Sequence, residues 1–264
     1  METVKNRVVI KVGTSTITTE TGENNFRTMD KLAQVLSGLA NEGYEVILVS
    51  SGAIAVGANK MGLQQKPKDL KLKQAAASVG QCELMHLYDK FFSEYGKMVS
   101  QILLSGDDVE NPVKKQNLRN TFFTLIEHNI IPIVNENDSV SYTEIESNDR
   151  LFGDNDMLSS VVAVLCRASK LVIFSDIDGF YNCDPRLHPD AKLIEEIDKI
   201  DDEVYKLAGG AGSRRGTGGM RTKLQAAALA TSQGIDTIIT NGKNPAALYD
   251  IIEGVPVGTK FKAQ

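Results

Sequence analysis

Two lysines far apart in the chain each stand beside a glycine-bearing turn. Lys11 ends the apolar run Val8-Val-Ile-Lys-Val-Gly-Thr-Ser15, and Lys223 closes Gly216-Thr-Gly-Gly-Met-Arg-Thr-Lys223, which opens a helix. Gly13 lets a backbone approach a ligand closely, and N–H groups exposed there suit phosphate oxygens, at which Lys11 would also point. Thr217, Gly218, Gly219, Met220 and Lys223 form a second phosphate cradle at a helix N-terminus. Lys223 sits at the unfavourable end of the helix dipole, which a bound anion would offset. The plainer readings are an edge lysine capping a strand and a flexible surface loop.

Between the lysines come three clusters, two at the ends of apolar runs and one opening a helix. Val46-Ile-Leu-Val runs into Ser50, Ser51, Gly52 and Ala53, whose hydroxyls and N–H groups could hold an anion, or whose serines could simply cap a helix. Val134-Asn-Glu-Asn-Asp138 and Gly153-Asp-Asn-Asp156 gather amides and carboxylates. Capping accounts for one residue in each and not for three in a row. Such a cluster beside a phosphate site could hold Mg²⁺, orient lysines or bind a substrate ammonium. A fourth apolar run ends in Ser175-Asp176, with Gly179 turning the chain before Asp184-Pro-Arg186. No Walker-type G-x-x-x-x-G-K-[ST] or dinucleotide G-x-G-x-x-G occurs. His86, His128 and His188 fall outside these motifs, so no Ser-His-Asp arrangement is supported.

The elements that must position these residues alternate. Strands are expected at Arg7–Val12, Glu45–Ser50, Val99–Leu104, Ile130–Asn135, Leu171–Ser175 and Thr237–Thr240. Helices are expected over Arg27–Glu42, Lys71–Tyr95, Pro112–His128, Asp154–Cys166, Met220–Gln233 and from an Asn244-Pro245 cap to Ile252, with another following Gly52. This is the pattern of βαβ units around a mainly parallel sheet. Ser139–Gly153, polar and acidic, is expected to be a mobile loop, and Gly209–Gly219 is glycine-rich with two arginines.

Composition narrows the function classes. Net charge is −5, so no general field attracts nucleic acid, and no apolar run approaches a membrane span. The N-terminus lacks a secretory signal, and Cys82, Cys166 and Cys183 form neither a disulfide framework nor a zinc motif, so a cytoplasmic, reducing setting is expected.

Taken in order, Lys11–Ser15, Val49–Ile54, Lys73–Gln81, Val134–Asp138, Gly153–Asp156, Ser175–Tyr181 and Gly216–Lys223 resemble the glutamate 5-kinases of the amino-acid kinase superfamily over essentially the whole chain. The resemblance implies an α/β fold, a three-layer αβα sandwich around a mainly parallel sheet. It implies one kinase domain over 1–264, with a substrate-binding lobe to about residue 165 and a nucleotide-binding lobe from about 166. The implied reaction is transfer of the ATP γ-phosphoryl to the side-chain carboxylate of L-glutamate, with Mg²⁺, feeding proline synthesis. Carried over by motif, Lys11 and Lys223 contact phosphoryl groups and Asp156 organises them. Ser51, Gly52, Ala53, Asn135, Asp138 and Asn155 bind glutamate. Lys11, Gly13, Ser175, Asp176, Thr217, Gly218, Gly219, Met220 and Lys223 hold the nucleotide. Proline as feedback inhibitor, a glutamyl-phosphate reductase as partner and a homo-oligomer are further implications. The alternatives are another carboxylate or UMP kinase of the superfamily and a non-catalytic ligand sensor. Many members carry a C-terminal PUA domain; with the sequence ending at Gln264, the resemblance is to the kinase-only form or a truncation.

Overall fold

A computed structural model describes residues 3–19, 21–65, 67–140, 154–208 and 219–264. Within them the first half runs β1 (Val4–Val12), α1 (Thr14–Ile17), α2 (Phe26–Asn41), β2 (Glu45–Ser50), α3 (Ala53–Lys60), α4 (Leu70–Glu94), β3 (Val99–Leu104), α5 (Gly106–Glu110), α6 (Pro112–Glu127) and β4 (Ile131–Glu136). The second half continues with α7 (Asn155–Cys166), β5 (Ala168–Ser175), β6 (Glu196–Ile197), α8 (Asp202–Ala208), α9 (Met220–Thr231), β7 (Asp236–Asn241), α10 (Ala247–Glu253) and β8 (Thr259–Phe261).

The strands form one sheet in the order β3-β4-β2-β1-β5-β7-β8-β6, parallel throughout except where β8 runs against β7. Strand alternation splits the core into two layers. Val8, Ile10 and Val12 of β1 face a cluster built with Leu32 and Leu36 of α2, Leu84 and Tyr88 of α4 and Leu248 of α10. Val9, on the other face, joins Phe122 of α6, Leu158 and Val162 of α7 and Leu224 of α9. The three-layer αβα sandwich is therefore present, with helices covering both faces of a sheet whose central strands are apolar on both sides.

Each strand anticipated from sequence is found, within a few residues. The last helix is the exception in its start: Asn244-Pro245 does not cap it. Those residues form a preceding turn, in which Ala247 N–H donates to the Asn244 carbonyl at 3.1 Å, and α10 begins at Ala247. The serines at the end of β2 do not cap α3 either. Gly52 takes the N-cap position with φ of 104°, a left-handed conformation that favours glycine, and no side chain caps the helix. Lys11 is not an edge lysine, because β1 lies between β2 and β5 and Lys11 is 6% exposed. Of the loop expected to be mobile at Ser139–Gly153, residues 141–153 lie outside the described residues, as do residues 209–218 of the glycine-rich Gly209–Gly219.

Because β1, β2, β4, β5 and β7 are parallel, their carboxyl ends all open on one side of the sheet. Strand order reverses about β1, since β2 and β4 lie to one side of it and β5 and β7 to the other. Ligands of open α/β sheets bind at such reversals, outside the carboxyl ends. The described residues of the clusters singled out above lie at this end.

Candidate active site

The centre of the site is Asp156, in the first turn of α7 and almost wholly buried. Lys11 Nζ, at the end of β1, lies 2.6 Å from its Oδ1, and Lys223 Nζ, in the first turn of α9, lies 3.0 Å from its Oδ2. Thr222 Oγ1 is 3.2 Å from the same Oδ2 and 2.9 Å from the Gly219 carbonyl. Burial pushes the Asp156 carboxyl upward, but the Lys11 and Lys223 ammonium groups outweigh that and hold it below the usual carboxylate range. Asp156 thus compensates Lys223 at the start of a helix, a place where sequence alone asked for a bound anion. A Cβ on Gly13 would sit 3.6 Å from Lys11 Nζ, so the Gly13 backbone adjoins the lysine head.

A second group adjoins the first through the Asn155–Asp156 pair. Asn155 Nδ2 donates toward Ser51 Oγ at 2.8 Å, Asn135 Oδ1 at 2.9 Å and the Ser50 carbonyl at 3.3 Å. Asn135 Oδ1 also accepts from Glu136 N–H at 2.9 Å, and Asn135 Nδ2 donates to Gln81 Oε1 at 3.0 Å. Ser50 Oγ pairs with the buried Tyr88 hydroxyl at 2.8 Å. Burial raises the Tyr88 phenol, and the Ser50 hydrogen bond only partly offsets this, so Tyr88 stays neutral. Beside this group is a cavity of about 370 Å³ whose lining includes Ala53, Ala77, Ser78, Gln81, Glu136 and Asp138.

A third region follows β5. Ser175 Oγ donates to Asp176 Oδ1 at 3.2 Å at the strand's end. Immediately beyond, Ile177, Phe180, Tyr181, Pro185, Leu207 and Met220 line a small, partly apolar cavity of about 70 Å³. Cys183, Asp184, Arg186 and Ala208 complete its lining.

The sequence-derived residues therefore separate into adjoining groups. Lys11, Lys223, Asp156 and Gly13 form the charged centre; Ser51, Asn135 and Asn155 form a hydrogen-bonded relay beside it. Ala53 and Asp138 line the larger cavity, and Gly52 caps α3 at its edge. Ser175 and Asp176 precede the smaller cavity, which Met220 lines and next to which Gly219 caps α9. Thr217 and Gly218 lie outside the described residues. Sequence reasoning did not single out Thr222, Gln81 or Tyr88. Thr222 and Gln81 lie inside motifs already noted but were given no role of their own, whereas Tyr88 sits on a long helix where aromatic residues are ordinary.

No group of three or more His, Cys, Asp or Glu side chains converges among the described residues as a metal cage would require. Both Asp156 oxygens face lysines. That donor set fits a divalent cation brought in on nucleotide phosphates, the usual way Mg²⁺ is held. No helix among the described residues is long and apolar enough to cross a membrane.

Known proteins resemble this chain in sequence and in fold. The chain is 55% identical to the glutamate 5-kinase of Clostridium perfringens over 98% of its own length and 96% of that relative's. It is 52% identical to the glutamate 5-kinase of Listeria innocua over 100% of this chain and 96% of the relative. In fold it resembles the Giardia lamblia carbamate kinase bound to AMP-PNP, with a TM-score of 0.69 at 16% identity over 98% of this chain and 99% of that one. Residues 6–241 match the model of the amino acid kinase family, and with two relatives above half identity along nearly its whole length, the chain belongs to that family.

Proposed function

We propose that this protein transfers the γ-phosphoryl group of ATP to the side-chain carboxylate of L-glutamate, giving L-glutamyl 5-phosphate at the first step of proline biosynthesis. The names of its half-identical relatives support the substrate. The observation that carries the chemistry is the convergence of Lys11 and Lys223 on one buried carboxylate at the carboxyl ends of the sheet.

A side-chain carboxylate titrates near pH 4, so it is already a nucleophile at neutral pH and requires no general base. That suits a centre with no histidine in it. Its oxygen forms a bond to the γ-phosphorus, the bond from that phosphorus to the β–γ bridging oxygen breaks, and ADP leaves with the electron pair. The obstacle is bringing an anion onto a polyanion, so catalysis rests on positioning and on stabilising charge. Lys11 and Lys223 supply that charge, and Asp156 holds the two ammonium groups in register. The Ser51–Asn155–Asn135 relay and Asp138 hold the amino acid, with Gly52 and Ala53 offering N–H groups. Gly13, Ser175, Asp176 and the Thr217–Lys223 segment hold the nucleotide, with its base near Met220. Mg²⁺ on the phosphates would supply further charge neutralisation.

In this reading the chain is one kinase domain, with substrate residues mostly before about 165 and nucleotide residues after. It acts in the cytoplasm as a homo-oligomer. Its product is a reactive acyl phosphate, which favours prompt consumption by a reductase, and proline is its feedback inhibitor.

The test is ADP release from MgATP with glutamate, aspartate, N-acetylglutamate and UMP offered separately. Glutamate alone should support turnover. Turnover with another acceptor and not with glutamate would move the substrate elsewhere in the family. No turnover with any of them would leave a ligand sensor.

A further inference from the structure

The cavity that would take the amino acid contains Glu136 and Asp138 but no lysine or arginine among its described lining residues. These carboxylates suit an ammonium group. An α-carboxylate entering the same space needs a donor, and the hydrogen-bond relay identifies one. Asn135 Oδ1 accepts from the Glu136 backbone N–H, which can only donate. The Asn135 amide is thereby oriented, and its Nδ2 must be the atom that meets Gln81. Gln81 consequently presents its oxygen, Oε1, to Asn135. Its Nε2, carrying two N–H donors, is left for the cavity it lines.

Helix packing brings that amide to the right place. A Cβ on Gly80 would collide with the Ala53 carbonyl oxygen, and one on Gly57 with the Ala76 carbonyl oxygen, so α3 and α4 cross with their backbones in contact. Gln81, next to Gly80, is set beside the first turn of α3, where Ala53 also lines the cavity. Of the other side-chain amides on the lining, Gln101 is exposed, and Asn137 uses its Oδ1 to accept from Ser139. Among the described lining residues, Gln81 alone has its polarity set by a buried partner, since Asn135 is 2% exposed.

We propose that Gln81 is a specificity residue, whose Nε2 donates to the α-carboxylate of the amino-acid substrate at the N-terminal edge of α3. The inference rests on the glutamate reading given above. It explains how an acidic cavity discriminates a full amino acid from an amine that has only the reacting carboxylate.

Gln81→Glu separates this role from a structural one. It keeps an oxygen acceptor for Asn135 Nδ2 while replacing the donor with a negative charge. Glutamate is compared with 4-aminobutyrate, which keeps the reacting carboxylate and the amine but lacks the α-carboxylate. In the wild type, kcat/KM should favour glutamate strongly. In Gln81→Glu, KM for glutamate should rise about 30-fold or more, the scale of losing one hydrogen bond to a charged group. KM for ATP should stay within about threefold, and the glutamate to 4-aminobutyrate ratio should shrink at least tenfold. Gln81→Leu, which loses donor and acceptor together, should shrink the same ratio. Because the ratio is measured within one preparation, a reduced folded fraction does not affect it. An unchanged ratio in Gln81→Glu would overturn the assignment. Absence of wild-type turnover of glutamate would overturn the glutamate reading and this proposal with it, and the wild-type arm alone distinguishes that case.

Discussion

Asp156 accepts two lysines from elements more than two hundred residues apart, and its fate decides what the site can do. Lys11→Ala and Lys223→Ala should each lower kcat by about a hundredfold or more, the scale of removing a donor to developing charge. Steady-state kinetics at saturating substrates will check this, and near-normal kcat in either variant would remove that lysine from the mechanism. Asp156 also links stability to pH. Its folded-state carboxyl is held below the unfolded value, so its contribution to stability is present above about pH 4 and is lost as pH falls through the depressed value. Urea unfolding from pH 7 downward should therefore show an acid loss that is shallower in Asp156→Asn, even though that variant starts less stable with two lysines left facing each other. Equal acid slopes in both proteins would mean that Asp156 is not held in its charged form by the lysines. At this scale the sequence was informative where residue types clustered. Lys11, Asp156 and Lys223 stood out beside glycines and amides, whereas Gln81 did not, because its meaning comes from the orientation of an amide on another strand.

The elements matter through the two ends they bring together. The carboxyl ends of β1, β2 and β4 and the first turns of α7 and α9 supply the charged centre and the relay, while α4 braces them from the side and the first turn of α3 edges the larger cavity. The crossing of α3 and α4 depends on Gly57 and Gly80 lying backbone to backbone. Gly80→Ala should overpack that crossing and cost about 1–3 kcal/mol of stability. It should also raise KM for the acceptor more than KM for ATP, because Ala53 and Gln81 flank the collision. Chemical denaturation with paired KM measurements will test this, and unchanged stability and kinetics would show that the helices can part without cost. Periodicity revealed the long helices and the strands buried on both faces. It did not reveal α1, α5, α8, β6 or β8, which are too short to show a period. The plainer reading of serine caps at α3 and the Asn-Pro cap expected at α10 both failed for a local reason. A left-handed Gly52 takes the first position, and Asn244-Pro245 completes a separate turn.

At the scale of the molecule, the αβα architecture was legible because strand and helix patterns alternate along the chain. The strand order was not, since nothing in a sequence states that β1 lies between β2 and β5 or that β8 runs against β7. That order is what gathers the lysines, the relay and the two cavities on one side of the sheet. The central claim is that this gathered site moves a phosphoryl group onto a carboxylate, forming an acyl phosphate. Hydroxylamine converts an acyl phosphate to a stable hydroxamate and leaves phosphate esters untouched. The most direct measurement is hydroxamate formation in a mixture of the protein, MgATP, L-glutamate and hydroxylamine. The account predicts hydroxamate that requires glutamate and ATP, matches ADP release mole for mole, and disappears in Lys11→Ala and Lys223→Ala. ADP release with glutamate but without hydroxamate would contradict it.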